Sequence, residues 1–142
     1  MKNTDSYDKR LLVQVGEELF EKWALDKGYI ATCFGSNARD NPIPHYSRLN
    51  PILRNAPDYI LNKEGKTYVV SVKGTASIKK SEMELLDALV SSYSSSKAPF
   101  IYAFCLRGQE PVLMSVSTLK SKFAEAEEKQ WHDGVRYRTI KI

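Results

Sequence analysis

The chain has 142 residues, 42% of them hydrophobic and 27% charged, with a net charge of +4 at pH 7. These values fit one globular domain and exclude a disordered or collagenous chain; no apolar run approaches the roughly 20 residues that span a bilayer. The polar opening MKNTDSYDKR and two cysteines without metal-ligand spacing, Cys33 and Cys105, predict a cytoplasmic protein with reduced core thiols and no signal peptide.

In chain order, residues 7–27 put Leu12, Val15, Leu19, Phe20 and Trp23 on one helical face, with Asp5 or Ser6 as the cap and Gly28 as the stop. YIATCF (29–34) predicts a short strand. Residues 35–56, with three prolines, four asparagines and three arginines, predict a long loop of the kind that usually carries function. Strands are expected at 57–61 and 67–73, joined by NKEGK as a hairpin turn with Gly65 where positive φ is needed. A second helix over 81–95 turns Leu85, Leu86, Leu89, Val90 and Tyr93 inward. FIYAFCL (100–106) is apolar throughout, the mark of a strand buried on both faces and reached by a right-handed crossover. VLMSV (112–116) predicts a further strand, Ser117 or Thr118 caps a third helix over 118–129, and VRYRTIKI (135–142) alternates as a closing strand. The order αβββαββαβ predicts a single α/β (α+β) domain over 1–142, a mixed central sheet flanked by helices.

Charge is unevenly placed. Residues 36–80 hold eight Lys/Arg against three acids, a balance of +5 that leaves −1 for the rest of the chain. Such a segment suits a polyanionic partner such as nucleic acid. Ser36, Arg39, Arg48 and Arg54 in the loop, with Lys79 and Lys80 after the hairpin, are the candidate phosphate contacts. His45 and Tyr46 read as loop residues, because no second histidine stands near them. No glycine-rich phosphate loop is present, so no nucleotide cofactor is expected.

One constellation carries chemistry. Asp58 starts one strand of the hairpin, and Ser71 and Lys73, two apart on the other, project from the same face. Asp58 would hold a hard divalent cation, Mg²⁺ or Mn²⁺, whose octahedron water and phosphate oxygens complete. Lys73 would orient the attacking water or offset charge on the scissile phosphate. The same residues have plainer readings: an Asp after Pro suits a turn, and a strand-end lysine suits a solvated edge.

Pro57-Asp58, twelve residues, then Ser71-Val72-Lys73 resembles the restriction-endonuclease-like superfamily with its PD-(D/E)XK motif. GEELFEKWALDKGY, PDYILNKEGKTYVVSVKGT and APFIYAF are similar in order and spacing to archaeal Holliday-junction resolvases, over roughly residues 12–116. The resemblance implies a restriction-endonuclease-like fold and a Mg²⁺-dependent endodeoxyribonuclease acting on branched or structured DNA in recombination or repair. It also implies that Glu17, eleven residues before Gly28, completes the metal site.

The sequence departs from that pattern at Ser71, where the family carries its second acid. Three explanations stay open: a dead site in a binding module; a site of Glu17, Asp58 and the Val72 carbonyl, with Ser71 acting through water; or an acid moved to the following helix. A branch of the restriction enzymes with Ser-x-Lys places a glutamate after about thirteen intervening residues, a count that leads here to Asp87. Helical phase favours Glu82 instead, which falls within the inward arc of Leu86, Leu89 and Tyr93, although an acid in a first turn is favoured by the helix dipole in any case. The expected function is a metal-dependent endonuclease, with a catalytically inactive nucleic-acid-binding or assembly subunit as the alternative and an RNA-directed nuclease behind both. Cutting two strands would call for a two-fold homodimer, with the apolar tail and Trp131 as candidate contacts.

Overall fold

A computed structural model describes residues 4–34 and 50–142, with side chains described at 15–34, 50–52 and 54–142. Helix α1 (Thr4–Asp26) begins earlier than expected, so that Asp5 and Ser6 fall inside the helix and do not precede it as caps. It stops where the sequence indicates. Gly28 adopts φ 82°, its N–H reaches the Leu25 carbonyl at 3.1 Å, and the Tyr29 N–H reaches Ala24 at 2.8 Å. That double bond pattern is the Schellman stop, and the stacking of Tyr29 on Trp23 is its apolar companion.

The central sheet has the strand order β1-β2-β3-β5-β6, from β1 (Ile30–Cys33), β2 (Tyr59–Lys63), β3 (Lys66–Lys73), β5 (Phe100–Phe104) and β6 (Val112–Ser115). β3 and β5 run parallel; the other neighbours are antiparallel. The hairpin turn is Glu64-Gly65, with φ 52° and 79° between the paired Lys63 and Lys66. Positive φ at both turn residues is the two-residue geometry whose twist matches that of the strands. Parallel entry of β5 requires a crossover, which helix α3 (Lys80–Tyr93) supplies. Every residue of β5 is buried, as its unbroken apolar run predicts.

Each face of the sheet has its own core. Phe20 and Ala24 of α1 pack on Tyr59, Leu61, Val70, Val72, Ile101, Ala103 and Cys105. On the other face Leu86 and Leu89 of α3, with Leu119 of helix α4 (Val116–Glu125), cover Val69, Phe100, Tyr102, Phe104 and Met114. Helix α1 comes closest at Gly16, where an added Cβ would stand 3.1 Å from the Gly74 Cα and 3.4 Å from its nitrogen.

Several boundaries differ from expectation. Within the expected loop, Pro51–Arg54 form a helical turn, α2, pinned to α3 by the Tyr93 hydroxyl donating to the Ile52 carbonyl at 3.0 Å. Helix α4 starts at Val116, because Ser115 is its cap and accepts from the Thr118 N–H at 3.2 Å. The closing strand is shorter, β8 (Arg136–Thr139), and it does not extend the central sheet. It lies between β4 (Ser77–Lys79) and β7 (Glu128–Gln130) in a second, three-stranded sheet, joined to the core through Ile78 and Ile140. Cys105 is buried as expected, and burial pushes its thiol up to about 12. Cys33 is exposed, because β1 is an edge strand covered on little of its length. Among the described residues no helix is long and apolar enough to cross a membrane.

The Gly16 contact involves backbone on the facing side, which cannot rotate away. Gly16→Ala is expected to cost about 1–3 kcal/mol of stability, the usual penalty of overpacking, measured as a lower denaturation midpoint.

Candidate active site at the end of the hairpin

Pro57 and Asp58 lie just before β2, and Asp58 prolongs its ladder. Its N–H donates to the Val70 carbonyl at 2.8 Å, and its carbonyl accepts from the Phe34 N–H at 2.9 Å. The carboxylate then turns inward, and Oδ2 accepts the Val72 N–H at 2.7 Å. The ladder therefore ends on a side-chain acceptor. The Val72 N–H fixes the carboxylate's position.

Strand alternation sorts the rest. Val70 and Val72 face α1, so Ser71 and Lys73 face α3 together with Val69. Across the parallel ladder Ser71 stands opposite Tyr102, and Lys73 opposite Phe104. Glu82, in the first turn of α3 and 8% exposed, meets them: Lys73 Nζ lies 2.5 Å from its Oε1, and the Tyr102 hydroxyl donates to its Oε2 at 2.8 Å. Lys73 Nζ also lies 5.8 Å from the centre of the Tyr102 ring.

The two carboxylates are driven apart in acidity. Burial, reinforced by the nearby Glu82 charge, raises Asp58 to about 6 against the opposing pull of the Val72 N–H and Lys73. Burial alone would raise Glu82 as well, but the Lys73 ammonium, the Tyr102 hydroxyl and the Lys79 charge outweigh it and hold the carboxyl below its usual range. Burial and the Glu82 charge push the Tyr102 hydroxyl well up, so it stays a donor. Glu82 is the ionised member of the pair and Asp58 the one that titrates near neutrality.

Of the candidate residues, Asp58, Val72, Lys73 and Glu82 come together, with the buried Ser71 on the same strand face as Lys73. Val72 contributes its N–H to the carboxylate. Asp87 does not join them: its neighbours Leu86 and Leu89 take the core face, and it is exposed and paired with Lys120 of α4. Glu17 is buried on α1, one turn before Phe20, and its charge bears on Tyr59. Lys79 is exposed immediately before α3, Lys80 lies 3.9 Å from Glu128, and Arg54 ends α2 half-buried. Ser36, Arg39, His45, Tyr46 and Arg48 lie outside the described residues. Trp131 is half-buried and stacked on Tyr137.

Sequence reasoning missed Tyr102 as part of this cluster. The signal was present: a tyrosine inside FIYAF, a strand buried on both faces, must find a partner for its hydroxyl. Among the described residues no group of three or more His, Cys, Asp or Glu side chains is arranged to hold a metal ion. The donor set at this site is a pair of carboxylates. No protein-family model matches the chain, and no curated protein matches it.

Two outcomes follow from the electrostatics. Because the folded Asp58 pKa, about 6, lies above the ordinary 3.8, its stabilising contribution is complete only below pH 3.8 and is lost as pH rises from there through 6. Relative to Asp58→Asn, the parent is expected to lose roughly 2 kcal/mol between pH 4 and 7, read from denaturant midpoints at both pH values. Glu82→Gln, which leaves Lys73 without its counter-charge, is expected to cost about 2 kcal/mol. Adding Lys73→Met should restore part of that loss in a double-mutant cycle.

Proposed function

We propose that the protein is a metal-dependent endonuclease that hydrolyses phosphodiester bonds of branched or otherwise structured DNA, built on the PD-(D/E)XK pattern with its second acid supplied by Glu82. The observation that carries the reading is the convergence of Asp58, Lys73 and Glu82 where the hairpin meets α3. Two carboxylates and an ammonium brought together from the hairpin and the first turn of α3 suit metal-assisted phosphodiester hydrolysis, and Ser71 leaves the family's usual second position without charge.

The donor set suits a hard divalent cation, which commonly takes one or two carboxylates and completes its shell with water and phosphate oxygens. The raised Asp58 pKa supports the fit: Lys73 does not fully offset the desolvation of this half-buried carboxylate beside a second one, and a cation would add positive charge. Asp58 and Glu82 would hold Mg²⁺ or Mn²⁺, which when bound polarises the phosphate and acidifies a water. The chain's own groups do the positioning. The Val72 N–H fixes Asp58, and the Tyr102 hydroxyl fixes Glu82. Lys73, now paired with Glu82, carries the charge that a scissile phosphate would draw on. Cutting both strands of a junction would take two such sites, hence a two-fold pair of chains.

A second reading draws on the same ion pair. Lys73 and Glu82 at 2.5 Å neutralise one another, as they would in a retired site kept for binding alone. The readings separate on labelled four-way-junction, duplex and single-stranded DNA incubated with Mg²⁺, Mn²⁺ or EDTA. The nuclease reading expects nicking with metal only, reduced roughly 100-fold or more by Asp58→Asn, Lys73→Ala or Glu82→Gln. It also expects Mn²⁺ to raise the melting temperature of the parent but not of Asp58→Asn. Binding without cutting under either metal would favour the silent module.

A further inference from the structure

The second sheet presents a face that the site above does not use. In β8, Arg138 and Ile140 turn inward: the guanidinium donates to the Phe123 carbonyl at 2.8 Å, and Ile140 enters the core. Alternation then turns Tyr137 and Thr139 outward. The register sets Lys79 of β4 and Lys129 of β7 directly opposite Tyr137 on either side, so one row across the three strands reads Lys79, Tyr137, Lys129. Both lysines are exposed, and Tyr137 keeps part of its surface. Trp131 stacks on Tyr137 with ring centres 4.1 Å apart and planes within 14°. The next outward row is Ser77 and Thr139, whose hydroxyls lie 3.0 Å apart. Two acids, Glu125 and Glu127, stand at the far corner with Thr139, Lys122 and Lys141.

We infer that this outward face of the second sheet binds a single-stranded segment of DNA, with a base stacked on the Tyr137–Trp131 aromatic pair and phosphates on Lys79 and Lys129. Two ammonium groups flanking an aromatic surface on an open sheet match the chemistry of an unpaired strand: every base offers a π-face and every nucleotide a charge. A duplex hides its base faces and would use only the lysines. Lys79 also joins this face to the candidate active site, because its charge acts on Glu82 at the start of α3. The inference deepens the endonuclease reading and rests on it for the choice of DNA; an unpaired strand here would be led toward Asp58 and Lys73.

The test is fluorescence anisotropy with labelled oligo(dT) of about 20 nucleotides in EDTA, using the Asp58→Asn chain so that binding is read apart from cleavage. Lys79→Ala with Lys129→Ala is expected to weaken binding tenfold or more and to flatten the salt dependence by about 1.4, two single-strand phosphate contacts. Tyr137→Ala should weaken binding about tenfold, while Tyr137→Phe, which keeps the ring, binds like the parent. Circular dichroism melting of each variant separates lost binding from lost folding. Oligo(dT) bound no better than a duplex of equal length, or bound equally by the parent and both alanine variants, would overturn the inference. Junction cleavage that these variants leave untouched would overturn the platform and spare the nuclease reading. Absence of cleavage together with Tyr137-dependent binding would do the reverse.

Discussion

Strand β3 is covered on both sides, by α1 on one face and by α3 and α4 on the other, and its alternation therefore has no free choice. Val70 and Val72 must enter the α1 core, and this obliges Ser71 and Lys73 to face α3. A charged lysine on that face needs a counter-charge nearby, because an unpaired ammonium in a partly buried place is costly. Glu82 meets the need from the first turn of α3, and Tyr102, forced onto the same face by the parallel register with β5, completes its bonding. The cluster is thus the polar consequence of a sheet packed from both sides. Shifting β3 by one residue would drive Lys73 into the α1 core and empty the cluster at once.

The pair of acids shows how one small site gives two carboxyl groups different characters. Glu82 lies within contact of an ammonium and a phenol and stays ionised across the ordinary range. Asp58 leans chiefly on one backbone N–H, feels Lys73 from farther off, and titrates near neutrality. The division comes from neighbours, since both groups are held in poorly solvated places. A bound cation would act on Asp58 more than on Glu82, whose charge is already answered.

Much of this was readable from residues. The Glu64-Gly65 turn, the Gly28 stop and the burial of FIYAF follow from conformational freedom and apolar runs that no tertiary contact overrides. Glu82 was favoured over Asp87 by helical phase, and the two do point to different sides of α3. What escaped was short or two-sided. SIK and EKQ are three-residue strands, too brief to show a period, so the second sheet they make with β8 left no trace in the pattern. Cys33 reads as apolar core by type, but an edge strand leaves it in solvent. Glu17 came from family resemblance, not from chemistry in the chain; helical spacing places it on the α1 side, one turn from Phe20.

The parallel pairing of β3 with β5 also bears on how the site comes into being. Asp58 and Lys73 belong to a hairpin closed by a two-residue turn, a local structure of the kind that forms within microseconds. Glu82 stands nine residues from Lys73, whereas Tyr102 lies beyond the crossover and 20 residues from Glu82, so Tyr102 arrives only after the longer loop has been closed against its entropy. The Lys73–Glu82 pair is therefore local in the chain, and the phenol that completes the bonding of Glu82 is not. The pairing of β5 with β3 and the satisfaction of the second Glu82 oxygen are one event, and slowing that pairing would prolong the interval in which Glu82 answers to its lysine alone.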